Sequence, residues 1–320
     1  MSLSRSDPTL RAAPSSRAQG IGFVVASAIA FGAMAILARV AFASGVDIPT
    51  LLALRFAIAA ACLCMLVAMR NIALPRGRNL GAAVLLGGVG YGGQAATFFI
   101  ALTLAPAGLV ALLLYLHPAL VAILAWLFLR EPVTRAKLVA LLIALTGMFL
   151  TVAPALNAQA GSAWPALPLG IAFGLAAAAI YAVYIVIGMR LTTRMHPLAL
   201  STVVVSSAAA VFVAAAAMEG PRFPGTVQGW AAVIGIALVS TVAAITLFFA
   251  GLARIGPTQA ATLSSIEPVV TVLLAASLLG ERIGIVQLLG GGLIVGAVLL
   301  LARAPAPAVS DGLRTRSGPD

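Results

Sequence analysis

The sequence predicts an all-α membrane protein with ten transmembrane helices in two inverted five-helix repeats, and three observations carry that reading. The chain of 320 residues is 62% hydrophobic and 8% charged, with mean hydropathy +1.14, whereas soluble domains are about half apolar and about a quarter charged. Slid by 150 residues against itself, it lays His117-Pro118 on Glu267-Pro268 and Glu131 on Glu281. Its basic residues gather on alternate loops between apolar runs.

At roughly 20 apolar residues per crossing, the runs divide into ten segments. Residues 1–20 form a polar N-terminal tail with Arg5, Arg11 and Arg17. The first run, Ile21 to Ala43, lacks a cleavage site and reads as an uncleaved span. The second, Pro49 to Met69, holds Arg55, Cys62 and Cys64; with no partner ligands nearby, the cysteines read as packing, and no metal or disulfide is expected. Leu80 to Thr103 is the third. Its Gly88, Gly90 and Gly93 spell G-x-G-x-x-G, but without a preceding strand they mark helix bending or close approach, and no nucleotide cofactor is implied. Ala107 to Leu129 and Ala136 to Ala153 complete a first repeat over residues 21–153.

Residues 154–166 form a linker rich in Ala, Gly, Asn and Gln. The second repeat, residues 167–302, comprises Leu167 to Met189, Leu198 to Met218, Val227 to Gly251, Pro257 to Leu279 and Ile283 to Ala302. Gly292 and Gly296 give its last span a small-residue face, for packing within the monomer or for a homodimer. Residues 303–320 form a polar tail. Beyond Pro and Glu, the match between repeats extends to Phe98/Phe248, Phe99/Phe249, Leu113/Leu263 and Leu124/Leu274.

A net charge of +11 raises the question of nucleic acid, and its distribution answers it. With both termini cytoplasmic, fifteen of the nineteen basic residues fall on cytoplasmic segments, Arg39, Arg222 and Arg282 on the other side, and Arg55 inside a span. This is positive-inside bias, which accounts for the basic charge and fixes the orientation. An odd number of spans per half inverts the second copy, so Glu131 falls at the cytoplasmic end and Glu281 at the outer end. Each opens the helix that follows it, where a carboxylate complements the helix dipole, and both read as structural.

Glu267 is the leading functional candidate, since an ionisable group near the middle of a span is costly and faces a partner or a wet cavity. A carboxyl in such a place suits proton coupling, the alternative being a structural bond to backbone freed near Pro268. His117 holds the equivalent place in the first half and either relays a proton, binds substrate or bonds a neighbouring helix. Pro118 and Pro268 each remove a backbone donor in mid-span and predict kinks. Arg55 lies too deep for easy snorkelling. It either clamps a substrate carboxylate, pairs with Glu267, or forms a structural ion pair with Asp47 or a lipid phosphate. Tyr91, Gln94, Tyr115, Thr262 and Ser265 supply the polar lining of a substrate cavity, each with interhelical bonding as the alternative. Tyr181, Tyr184 and Trp126 could wall it, or pack against lipid.

The opening of the second span at Pro49 to Arg55, the turn at Ala101 to Pro106, the Leu116-x-Pro118 motif running to Glu131, and its partial repetition from Ile266 to Glu281 resemble the EamA-type branch of the drug/metabolite transporter superfamily. The resemblance covers residues 20 to 302. It implies ten helices in two inverted repeats carrying small metabolites or drugs across the inner membrane, more often outward. With no ATP-site motif, no Asp inside a span and no Ser-His arrangement, the sequence predicts a carrier and not an enzyme. The expectation is a proton-coupled exporter of an amino acid, small metabolite or drug-like molecule. Uptake, facilitated passage and a structural or sensory role are the alternatives.

Overall fold

The structure is a computed structural model, and it describes residues 14–105, 107–158, 166–279 and 283–303. Among these residues every regular element is helical. The order is α1 (Pro14–Ala43), α2 (Ile48–Met69), α3 (Gly77–Leu85), a π-helical stretch (Leu86–Tyr91), α4 (Gly92–Leu104), α5 (Ala107–Leu114), α6 (His117–Leu129) and α7 (Arg135–Ala158). Then follow α8 (Leu167–Thr192), α9 (Pro197–Glu219), α10 (Val227–Ala237), a second π-helical stretch (Leu238–Ala243), α11 (Ala244–Ile255), α12 (Pro257–Leu263), a 3₁₀ turn (Ser264–Ile266), α13 (Glu267–Leu279) and α14 (Ile285–Arg303).

The 150-residue shift that aligns the sequence also aligns these elements: α6 maps onto α13 residue for residue, and each π-helical stretch interrupts the third span of its half. Packing follows the same exchange. Helix α1 packs on α11 while α8 packs on α4, and α2 with α9, like α7 with α14, forms a pair across the two halves. Gly147 and Gly290 make the α7–α14 approach possible, since a Cβ on either would come within 2.6 Å of the other's carbonyl oxygen. Gly292 and Gly296 have open space beside them.

Nine helical segments among the described residues are long and apolar enough to cross a membrane. The fifth expected span coincides with α7. Boundaries differ from those expected: α1 is already helical at Pro14, the first described residue, inside the expected tail. Helix α7 carries Pro154 internally and runs on to Ala158, into the expected linker. Glu281, Arg282 and both terminal tails before 14 and after 303 lie outside the described residues.

Contacts sort the helix ends into two groups. At one end, the Arg17 guanidinium donates to the Leu301 carbonyl, Gln259 donates to the same oxygen, and Arg190 donates to the Phe128 carbonyl. At the other, the Arg222 amide donates to the Thr50 hydroxyl and the Gly225 amide to the Ser44 carbonyl. The first described helix therefore begins at the end where the last one finishes.

Candidate functional site

The two mid-span prolines sit at breaks in the helix. Span four is two helices, α5 and α6, separated by a turn at Tyr115–Leu116; span nine is α12 and α13, separated by the 3₁₀ turn. Proline lacks an N–H, so it fits the opening of the second helix of each pair, and the residue before it, His117 or Glu267, starts that helix. Broken helices free backbone carbonyls in the interior, and these need partners. The His117 Nδ1 lies 3.1 Å from the Leu114 carbonyl. A carbonyl only accepts, so Nδ1 carries a proton, and in the neutral ring Nε2 presents a lone pair; Nε2 is buried with no partner among the described residues.

Arg55, only 6% exposed, is held from both halves. Its Nε donates to the Thr241 hydroxyl at 2.8 Å and an Nη donates to the Tyr91 hydroxyl at 2.8 Å, while the guanidinium lies 4.7 Å from the centre of the Phe56 ring. Tyr91 closes the first π-helical stretch and Thr241 sits within the second. Such i→i+5 turns bulge the backbone and cluster at functional sites. A Cβ on Gly87 in the first stretch would collide with the Val204 carbonyl of α9. The close approach expected of Gly88, Gly90 and Gly93 is thus made by their neighbour.

The chain's four tyrosines converge here. Tyr91 stacks on Tyr184 at 5.5 Å between centroids, Tyr184 on Tyr181 at 5.9 Å, and Tyr181 meets the His117 ring at 4.6 Å. The Glu267 carboxylate is close enough for its charge to act on Tyr91, Tyr115 and Tyr181, and it in turn feels the charge of Arg55. No hydrogen bond or ion pair joins Arg55 to Glu267 among the described residues. Ser265, 1% exposed, points a hydroxyl with no partner beside this cluster's helix break.

Other candidates stand apart. The Thr262 hydroxyl turns back to the Thr258 carbonyl of its own helix, and no contact ties the half-buried Gln94 side chain to the cluster. Asp47 caps α2 by accepting from the Thr50 amide at 2.9 Å, so the Arg55–Asp47 pair held open by the sequence does not form. Trp126 is 61% exposed and walls nothing inside. Glu131 does not open α7, which starts at Arg135. Its carboxyl instead accepts from the Lys137 ammonium at 2.7 Å and reaches into the second half, where it accepts from the Thr258 hydroxyl at 2.8 Å. Thr241 and Thr258 escape the sequence reading because nothing marks one threonine among many; for Thr241, the mark would have been its match with Tyr91 at 150 residues.

Two apolar clefts, of about 330 and 320 Å³, lie on the flanks at α7–α13–α14 and α6–α7, away from the tyrosines. They are counterparts: Ala119, Ile123 and Lys137 line one, and Val269, Leu273 and Gln287 the other. Among the described residues no cluster of three or more His, Cys, Asp or Glu could hold a metal ion.

Comparison with known proteins agrees with this architecture. The model of the EamA-like transporter family matches twice, over residues 18–153 and 168–303. The uncharacterized transporter YcbK of Bacillus subtilis is 32% identical over 163 residues, 48% of this chain and 50% of that protein. The uncharacterized transporter sll1319 of Synechocystis is 26% identical over 205 residues, 63% of this chain and 61% of that protein. The matches thus span about half to three-fifths of these relatives' own length. A solved crystal structure, 22% identical, superposes with TM-score 0.78 over 90% of this chain and 99% of its own, which shows the shared fold. With two copies of one family's model covering nearly all the described helices, and a duplicated helix order to match, the chain belongs to the EamA-like transporter family.

Proposed function

We propose that this chain is a secondary active transporter that exports a small metabolite, amino acid or drug-like molecule across the bacterial inner membrane, driven by protons. The observation that carries this reading is that Arg55, Tyr91, Tyr184, Tyr181 and His117 form one chain of hydrogen bonds and ring contacts reaching the break of span four, with Glu267 at the matching break of span nine. Ionisable groups are expensive at that depth and are kept where a solute or ion passes. In this reading α7 crosses as the fifth span, which makes ten in all, and the two five-span halves are inverted. The end carrying Arg17, Arg190 and Leu301 faces the cytoplasm, and access alternates as one half rocks against the other.

Roles follow from chemistry. Glu267, whose carboxyl has no hydrogen-bond partner among the described residues, takes up and releases the coupling proton. The lone pair of His117 Nε2 accepts a donor from substrate or a neighbouring carboxyl, and Ser265 offers an unpartnered hydroxyl at the break of span nine. Arg55 holds its remaining donors toward an anionic group, while Tyr91, Tyr115, Tyr181 and Tyr184 supply flat apolar walls with polar rims. Substrate-panel accumulation in proteoliposomes under an imposed pH gradient tests the reading. Accumulation of a solute only with the gradient supports it, and indifference to the gradient across the panel counts against proton coupling.

A further inference from the structure

The duplication makes departures from symmetry informative. Two copies of one fold that were arranged alike would show every contact twice, so a contact made by one copy alone reports which end is closed. Helix α12 of the second half packs against α6 and α7 of the first. Under the 150-residue exchange the counterpart is α5 against α13 and α14, and the described residues show no comparable packing there. The closed end is the one where Arg17 and Gln259 bond the Leu301 carbonyl.

Glu131 stands in that one-sided contact. Its Oε1 takes the Lys137 ammonium at 2.7 Å, which also donates to the Pro132 carbonyl at 3.2 Å, and its Oε2 takes the Thr258 hydroxyl at 2.8 Å with the Thr258 amide at 3.4 Å. The carboxylate therefore joins the α6–α7 turn to the first turn of α12. Gly256 places that turn through a left-handed backbone, φ +80°, and a Cβ there would stand 3.4 Å from Glu131 Oε1. At the equivalent sites of the opposite end the sequence has Gln287 for Lys137 and Gly108 for Thr258. Neither can repeat the bond in kind: glutamine can donate only a neutral hydrogen bond and glycine has no hydroxyl, while the Gln287 Oε1 accepts from the Gly284 amide. Symmetry mates that differ in chemistry give the two ends different closing energies.

We infer that Glu131, Lys137 and Thr258 form the latch of a gate at the α12 end, holding the protein in the state open toward the opposite end. The inference rests on the transport reading for its purpose, but its geometry does not need a substrate. Charge-assisted bonds of this kind are stronger than neutral ones, and a gate between two discrete packings moves by the difference in bonding between them. Releasing the carboxylate lets α12 leave α6 and opens this end.

The test is thiol labelling of the full chain in detergent, in a Cys62→Ser/Cys64→Ser background. Thr262→Cys is the reporter; it lies one turn deeper than Thr258 on the same helix face, and Thr262 is 1% exposed. A water-soluble maleimide should label it slowly in the parent. Glu131→Ala should raise the rate about tenfold, the population change that about 1.4 kcal/mol produces. Thr258→Ala should raise it severalfold, and Gln287→Ala at the other end should leave it unchanged. Should Glu131→Ala fail to give a monodisperse protein, Thr258→Ala decides. Unaltered labelling in Thr258→Ala, or an equal rise in Gln287→Ala, overturns the latch. A labelling rise without any transported solute in the panel would keep the latch and sink the transport reading.

Discussion

Tyr91 and Thr241 occupy equivalent positions of the two halves, 150 residues apart, and both hold the same guanidinium, that of Arg55, at 2.8 Å. One cation thus bridges two π-helical stretches that duplication placed in matching spans. The arrangement lets a single side chain sense the relative position of the halves, because a shift of either stretch breaks one of its two bonds.

Arg55→Ala should reduce transport at least tenfold while the protein still inserts and purifies. Arg55→Lys should recover little, since an ammonium is a point charge and cannot reach Tyr91 and Thr241 with a planar fork. Uptake or efflux assays on both variants, normalised to purified protein, measure this. Full activity in Arg55→Lys would show that charge alone suffices.

Thr241→Ala leaves the Arg55 Nε unpaired in the interior. A bond to a charged group contributes about 1.5–3 kcal/mol, so thermal unfolding in detergent should shift down by several degrees; Tyr91→Phe should behave alike. The double variant should cost less than the sum, because both bonds end on one guanidinium.

Gly87→Val should destabilise the protein by about 1–3 kcal/mol, as expected of overpacking, because the added carbons meet the Val204 carbonyl. Gly93→Ala, with open space around it, should be tolerated. Equal thermal stability of the two variants would contradict the packing described for α9.

Much of this was legible beforehand because the sequence repeats itself. Pro118 and Pro268 marked the two breaks, since a residue without N–H shows where a helix cannot continue unaltered, and Glu267 and His117 stood beside them. Helix ends were less legible: Pro154 looked like a stop and is carried inside α7, where propensity yields to the packing of α7 on α14. Gly88, Gly90 and Gly93 marked bending or close approach in the third span, but nothing in the sequence specified a π-helical stretch there or at Leu238–Ala243. Glu131 misled for a related reason: its local position suggested a cap for the next helix, while its partner Thr258 lies 127 residues away, a distance only tertiary structure spans.

Single cysteines in place of Arg76 and Arg194 should react with an impermeant reagent from the cytoplasmic side, and one in place of Arg222 from the opposite side. All three side chains are exposed, so absence of labelling could not be blamed on burial. Reaction of positions 76 and 222 from the same side would dismantle the inverted arrangement.

The account rests most heavily on Glu267 as the proton carrier, and substrate accumulation in proteoliposomes with and without an imposed pH gradient tests it directly. Glu267→Gln keeps the size and hydrogen-bonding capacity of the side chain but cannot change charge. Gradient-driven accumulation should fall to the level seen without a gradient, while exchange of labelled for unlabelled substrate survives. His117→Gln, which removes a neutral ring already bonded to the Leu114 carbonyl, should cause a smaller loss. Undiminished gradient-driven accumulation by the Glu267→Gln protein would contradict the account and return that carboxyl to a structural role.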